Sequence, residues 1–217
     1  MSDEELVAAF ELAWTNEGFL TREHEEARLA TGRESLRRFR AEQLKPDAVV
    51  PAYVEREFSF SLDGDRVRGR WDRVDIQPAD DLPPGADADA PPALADTVSP
   101  TLGLTGRERV TITDYKSSDV RDPAKARQRT RDSLQLQIYA MGYEALTGRL
   151  PDYLQLHFLD SGLVGRAPVD QARLAKARQK IATAAAGMRA RDYTARPDRM
   201  TCTYCPYREI CPSSAAT

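Results

Sequence analysis

The stretch that decides the fold is Gly69-Arg70-Trp71-Asp72-Arg73-Val74-Asp75, followed after a long interruption by Val110-Thr111-Ile112-Thr113-Asp114-Tyr115-Lys116. β-Branched and aromatic residues in alternation make each piece a predicted strand. Along the second piece Ile112, Asp114 and Lys116 share one face, and Thr113 and Tyr115 share the other, because side chains alternate along a strand. If Asp72 sits at the same level of the neighbouring strand, two carboxylates and one ammonium converge. That set suits a hard divalent cation held by oxygen, with a lysine beside it. Asp75 is an odd number of residues from Asp72 and falls on the opposite face. It is expected to pair with Arg73 or another arginine.

Outward from this pair, Tyr53–Leu62 alternates as a strand, with Val54, Arg56, Phe58 and Phe60 on one face and Glu55, Glu57 and Ser59 on the other. Glu57 is a carboxylate that either joins the cation or stays at the surface. Asp63-Gly64-Asp65 is a hairpin signal that returns the chain into the strand carrying Asp72. Ser2-Asp3-Glu4-Glu5 opens a first helix as a capping box. A second helix runs from about Arg22 to Leu44, and Pro46 ends it. Its Arg37, Arg38 and Arg40 either face phosphates or form a solvated helical face, and the solvated face is the expected reading. Residues 78–107, rich in Pro, Ala, Asp and Gly, read as a flexible insertion whose removal leaves the site intact.

Ser117–Arg131 reads as a polar segment. Its Arg121, Lys125, Arg127, Arg129 and Arg131 either contact phosphates or stand in solvent. A helix from about Ser133 to Thr147 follows, with Leu134, Ile138, Met141 and Ala145 as its buried stripe. Gln135 and Tyr139, four apart, share one of its faces. A strand over 153–159 and an Ala-rich helix over 170–191, with Leu174, Ala177, Ile181, Ala184 and Met188 inward, complete the pattern. Hairpin-linked strands followed by a crossover helix predict an α/β fold, a central mixed sheet flanked by helices. The expected organisation is an N-terminal helical segment (1–50), a core (51–195) and a cysteine-containing tail (196–217).

Composition bounds the function. A length of 217 residues with 41% hydrophobic and 30% charged content suits one soluble domain with an appendage. No run is apolar enough for a membrane span or a signal peptide, so a cytoplasmic location without a membrane partner is expected. A net charge of −3 argues against a simple nucleic-acid-binding module, and suggests that a partner or a larger polypeptide supplies part of any grip on DNA. The nucleotide-binding loop Gly-x4-Gly-Lys-Ser/Thr is missing from the sequence.

Asp72, Asp114-x-Lys116 and Gln135-x3-Tyr139, in that order, resemble the PD-(D/E)XK nuclease superfamily, and the Gly-x-x-Asp-Arg-x-Asp form resembles its RecB-like branch. The nearest likeness is to the nuclease domain of UvrD/PcrA-like helicases. The resemblance implies a restriction-endonuclease-like core. It implies a Mg²⁺- or Mn²⁺-dependent deoxyribonuclease, exonuclease rather than endonuclease, acting with a helicase in recombination or repair on single-stranded or end-containing DNA. Asp72, Asp114 and the main-chain carbonyl of Tyr115 would hold the cation. Lys116 would position or activate the attacking water, and Gln135 and Tyr139 would orient substrate. The branch also uses an upstream histidine as ligand; His24 and His157 do not fit that place and read as ordinary histidines. The alternative is a truncated or inactive nuclease fold that binds DNA or a helicase without cutting.

The tail Cys202-Thr203-Tyr204-Cys205-Pro206-Tyr207-Arg208-Glu209-Ile210-Cys211 resembles the iron–sulfur end of AddB-type nucleases. Clustered cytosolic thiols bind clusters or zinc rather than form a disulfide framework. A four-iron cluster takes four cysteines, and no cysteine precedes Cys202. The cluster is therefore completed from outside the chain, held by three cysteines and another ligand, or absent, with zinc as the alternative. The missing histidine and first cysteine both belong upstream, so a fragment or shortened relative is expected.

Overall fold

The computed structural model describes residues 1–19, 21–78 and 108–216. The expected insertion lies outside the described residues, apart from Pro78. The elements run α1 (Asp3–Leu12), α2 (Arg22–Gln43), β1 (Tyr53–Leu62), β2 (Asp65–Pro78), β3 (Glu108–Lys116), α3 (Pro123–Asp132), α4 (Leu134–Thr147), β4 (Tyr153–Phe158), β5 (Leu163–Pro168), α5 (Gln171–Ala190) and α6 (Arg199–Thr203). Two compact units divide the chain, Met1–Ala177 and Arg178–Thr217. No helix among the described residues is long and apolar enough to cross a membrane.

The first unit is built on a five-stranded sheet in the order β1-β2-β3-β4-β5. All neighbours are antiparallel except β3 and β4, which run parallel. Parallel neighbours need a long crossover, and α3 and α4 provide it. This is the mixed α/β sheet expected. Three elements were not legible. α3 lies where only a polar segment was expected: Asp122 caps its first turn by accepting from the Ala124 amide, and Pro123 takes the first helical position. β5 follows the Ser161-Gly162 turn. The short α6 lies within the cysteine tail.

The two-residue loop Asp63-Gly64 has φ of 50° and 85°. Both central residues sit in the left-handed region that tight hairpin turns use. The turn pairs Leu62 with Asp65, and the register runs on through Phe58–Gly69, Arg56–Trp71 and Val54–Arg73. The expected alternation of β1 breaks at one residue. Glu55 has φ 50° within the strand. As a result Tyr53 and Phe58, an odd number of residues apart, both stack on Trp71, at ring-centroid distances of 6.3 and 4.7 Å. Val54, expected on the same face as Phe58, is 60% exposed, because Tyr53 takes the inward place.

The core beneath the site is aromatic. Trp71 is fully buried, and its indole N–H donates to the Tyr139 carbonyl at 3.1 Å. Phe58 meets the Tyr139 ring edge-on at 5.7 Å. This fixes the phase of α4, whose buried residues include Leu136, Tyr139, Ala140, Met141 and Tyr143. Of the expected stripe only Met141 is fully inside; Leu134 and Ala145 are exposed and Ile138 is half-buried. The stripe was misplaced because α4 has apolar residues around most of its circumference, so periodicity alone gives no phase. In α5, Leu174, Ala177 and Ala185 are buried, while Ala184 and Met188 are exposed.

On the other sheet face, Phe39 of α2 packs edge-on against Tyr115 at 5.4 Å. The α2 arginines hold structure. Arg28 pairs with Asp160 at 2.7 Å, Arg38 donates to the carbonyls of Leu159 and Asp160, and Arg40 pairs with Asp3. Arg37 is exposed.

Candidate active site

Asp114 and Lys116 lie at the end of β3, on the face covered by α4. The pairing of Arg73 with Thr113 brings Asp72 level with Asp114 on the neighbouring strand. Asp72 Oδ2 accepts from the Tyr115 main-chain N–H at 3.0 Å. Its side chain thereby joins β2 to β3 beyond the last paired residues.

Asp114 is 1% exposed. Burial pushes its carboxyl above the ordinary carboxylate value; the Lys116 ammonium opposes that shift, and the Asp72 charge adds to it. Lys116 Nζ stands 2.6 Å from Asp114 Oδ2. The contact is an ion pair without the alignment of a full hydrogen bond, and Oδ2 is otherwise buried without a partner. A buried carboxylate oxygen with a single donor is costly. Two adjacent carboxylates offer oxygen ligands of the kind a hard divalent cation takes. Among the described residues, however, no group of three His, Cys, Asp or Glu side chains is placed to hold a metal.

Lys116 also donates to Gln135 Oε1 at 2.8 Å, and Gln135 Nε2 donates to the Tyr139 hydroxyl oxygen at 2.8 Å. The direction of this relay is dictated by chemistry. An ammonium only donates, so the amide must turn its oxygen to Lys116 and its NH₂ to Tyr139. The tyrosine oxygen then accepts, and its own proton is left to donate elsewhere. Burial raises the Tyr139 phenol above its ordinary value; the hydrogen bond from Gln135 opposes, and the charges of Asp72, Asp114 and Glu55 add. Tyr139 therefore stays protonated, a neutral donor beside the carboxylates.

The sequence-predicted residues divide accordingly. Asp72, Asp114, Lys116, Gln135 and Tyr139 are brought together. The Tyr115 side chain points to the opposite face, against Phe39 and His157. Asp75 pairs with Arg73 at 2.8 Å on that same far face, as its spacing implied. Burial holds the His157 imidazole below its ordinary value, with Glu42 opposing; His24 is exposed at the start of α2. Glu57 is exposed on β1. The pairs Val54–Arg73 and Arg56–Trp71 leave Glu55 level with Asp72 but unpaired with it, and sequence reasoning passed over it. Counting back across the Asp63-Gly64 loop would have found it.

The basic residues of α3 flank its buried strip, Ala126 and Thr130. Lys125 and Arg129 line a shallow pocket with Gln128, Asp132 and Ser133. Arg121 is engaged by Asp119 at 2.9 Å. Arg129 and Arg131 occupy the last turn, where cations also favour the helix dipole; Arg127 is exposed. In the second unit Cys202, Cys205 and Cys211 are free thiols, each half-buried, and they are not gathered into a metal-binding group.

A family model described as the PD-(D/E)XK nuclease superfamily matches residues 101–212. That span holds Asp114, Lys116, Gln135, Tyr139 and the three cysteines; Asp72 precedes it. No curated protein matches the chain. Among solved structures, one titled "Crystal structure of SSO0001" is 14% identical over 98% of this chain and 94% of its own, with a TM-score of 0.39.

Proposed function

The chain belongs to the PD-(D/E)XK nuclease superfamily, and on that premise we propose that it hydrolyses phosphodiester bonds in DNA with the help of Mg²⁺ or Mn²⁺. The observation that carries the reading is the convergence of Asp72, the buried Asp114 and Lys116, whose Nζ stands 2.6 Å from Asp114 Oδ2. Asp72 and Asp114, with the Tyr115 carbonyl, would hold the cation. When bound, the cation would offset the negative charge that grows on the phosphate oxygens and would lower the pKa of a bound water. Lys116 has three N–H donors. One faces Asp114 and one Gln135, which leaves the third for the attacking water or a phosphate oxygen. Gln135 fixes the ammonium in place, and the Tyr139 hydroxyl donates to a second phosphate oxygen. Lys125, Arg127, Arg129 and Arg131 of α3, with Arg121 just before it, are proposed to follow the backbone beyond the scissile phosphate.

In its finer form the reading is a RecB-like exonuclease that takes single-stranded ends alongside a helicase, in recombination or repair. The sequence motifs support it. A second reading, a fold that grips DNA without cutting it, is favoured by the lack of a third metal-ligating side chain among the described residues.

The test uses linear and circular single-stranded DNA with Mg²⁺ and with Mn²⁺, and compares the chain with Lys116→Ala and Asp114→Asn. The expected result is metal-dependent degradation of the linear form that both substitutions abolish. Cleavage that persists in either variant rejects the assigned site. Binding without cleavage by the unaltered chain selects the second reading.

A further inference from the structure

We propose that the outer face of the β1–β2 ribbon carries single-stranded DNA at one flank of the site, with its phosphates along Arg66, Arg68 and Arg70. The inference rests on the nuclease reading and adds to it a path for the strand.

The pairing of β2 with β3 runs from Pro78–Glu108 to Arg73–Thr113 and stops there. Among the described residues, Asp65–Trp71 pair only with β1. The two strands therefore project as a ribbon past the end of β3 that holds Asp114 and Lys116. One face of the ribbon is closed. Phe58, opposite Gly69 in the register, packs against Tyr139 and Gly142 of α4. Arg68 and Arg70 flank Gly69 and so point the other way, as does Arg66. All three arginines are exposed.

Their partners leave the face positive. Across the ribbon Arg66 meets Ser61, Arg68 meets Ser59, and only Arg70 meets an acid, Glu57. Opposite charges would stabilise such cross-strand pairs, yet two of the guanidiniums face a hydroxyl. Arg66 donates to Ser59 Oγ at a long 3.4 Å. Arg68 has no ion pair or hydrogen bond among the described residues. Arg70 pairs with Glu55 at 2.9 Å, with both side chains more than half exposed. An exposed pair of this kind is weak, and a phosphate can replace it.

This surplus stands on a chain whose net charge is −3, and its chemistry fits a nucleic-acid backbone. Arginine and serine both contact phosphates. Alternate residues of a strand stand about 6.8 Å apart, which equals two nucleotide steps of about 3.4 Å along one stacked DNA strand. The three arginines then meet every second phosphate. A single row serves one backbone, so the occupant is a single strand. Arg70 precedes Asp72 by two residues, so the row begins beside the site. The basic helix α3 packs on β4 and β5, at the other edge of the sheet. The scissile phosphate is thereby held between two basic surfaces.

The test follows a labelled oligothymidylate by fluorescence anisotropy on the full chain, in EDTA so that nothing is cut, over a series of NaCl concentrations. Each single-strand phosphate contact contributes about 0.7 to the slope of log K against log salt. Joint replacement Arg66→Gln, Arg68→Gln and Arg70→Gln is expected to lower the slope by about 2, and to weaken binding roughly a hundredfold at about 0.1 M salt. The corresponding lysine variant keeps the charges and most of the binding. A control with Arg22→Gln, Lys45→Gln and Lys176→Gln, all exposed, changes the net charge equally and leaves the slope nearly unaltered. Circular dichroism checks that each variant is folded. If the ribbon glutamines leave the slope unchanged, or the control lowers it as much, the ribbon path is overturned while the site stands; the row then only guards the open edge of β2 against pairing with other chains. A loss confined to duplex DNA overturns the choice of a single strand. If the unaltered chain binds neither form, the nuclease reading fails and the inference with it.

Discussion

The Phe58 ring is wedged between two glycines, and this makes one substitution unusually diagnostic. A Cβ at Gly142 would lie 2.4 Å from Phe58 Cδ2 and 3.0 Å from Cγ; a Cβ at Gly69 on the opposite side would lie 2.4 Å from Cζ. At Gly142 the clash falls on the base of the ring, which cannot swing aside, and the Gly69 backbone blocks retreat. Overpacking of this kind costs about 1–3 kcal/mol. The substitution also replaces a helix-interior glycine by alanine, a gain of about 1 kcal/mol. The clash falls on the rigid base of the ring, so the packing cost lies toward the upper end of its range, and Gly142→Ala should destabilise by up to about 2 kcal/mol, up to about 4–8 °C in Tm for a chain of this size. Gly187 of α5 is the control: nothing lies within 4 Å of its would-be Cβ, so the same exchange keeps only the propensity gain and should stabilise. Thermal unfolding followed by circular dichroism measures both. Because Phe58 seats Trp71 and Tyr139, cleavage should fall in Gly142→Ala although no site residue is altered, and Phe58→Leu in the same chain should restore part of the stability. A Gly142→Ala protein as stable as the unaltered chain would refute the wedge and the route from core to site.

Two further outcomes follow from the site itself. The Asp114 carboxyl is raised in the folded, cation-free state, so its contribution to stability is fully present below the unfolded carboxylate value, about 4, and is lost as pH rises through the folded one. Asp114→Asn should therefore gain on the unaltered chain in urea unfolding as pH is raised from about 4 to 7, with Mn²⁺ reversing the gap; a pH-independent difference would contradict the burial argument. Tyr139→Phe removes the hydroxyl that accepts from Gln135. It should lower the cleavage rate about tenfold, while stability changes by about 1 kcal/mol, the net worth of one hydrogen bond.

Much of this was legible because the chain spells its hairpin plainly. Asp63-Gly64 fixes a two-residue loop, and with it every pairing between β1 and β2. The strands of the site were read nearly to their ends for that reason. α3 was missed because seven of its ten residues are polar or charged, and only Ala126 and Thr130 face inward. Its start is written instead in Asp122-Pro123, a cap and a first-turn proline. β5 was missed because it is short and carries Gly165 and Arg166 where apolar residues would have marked it. That glycine is required: a Cβ there would stand 2.4 Å from the Ala126 carbonyl and 2.5 Å from Thr130 Oγ1, so α3 and β5 approach through it.

The two acids of Asp72-Arg73-Val74-Asp75 show how little spacing separates a catalytic candidate from a structural one. Three residues along a strand turn a side chain to the other face. Asp72 meets Asp114 and Tyr115 at the open end of the sheet. Asp75 is closed off on the far side by Arg73, which also donates to Gln43 Oε1 at 2.7 Å and to the Val49 carbonyl at 2.8 Å. Burial raises the Asp75 carboxyl, and Arg73 only partly offsets it. Asp75 is saturated by one guanidinium that also ties the sheet to the chain after α2. The oxygens of Asp72 and Asp114 meet only one ammonium and one amide N–H. The asymmetry is one of donors rather than acids: a charge with all its partners supplied holds the fold, and one left short of them can bind a cation.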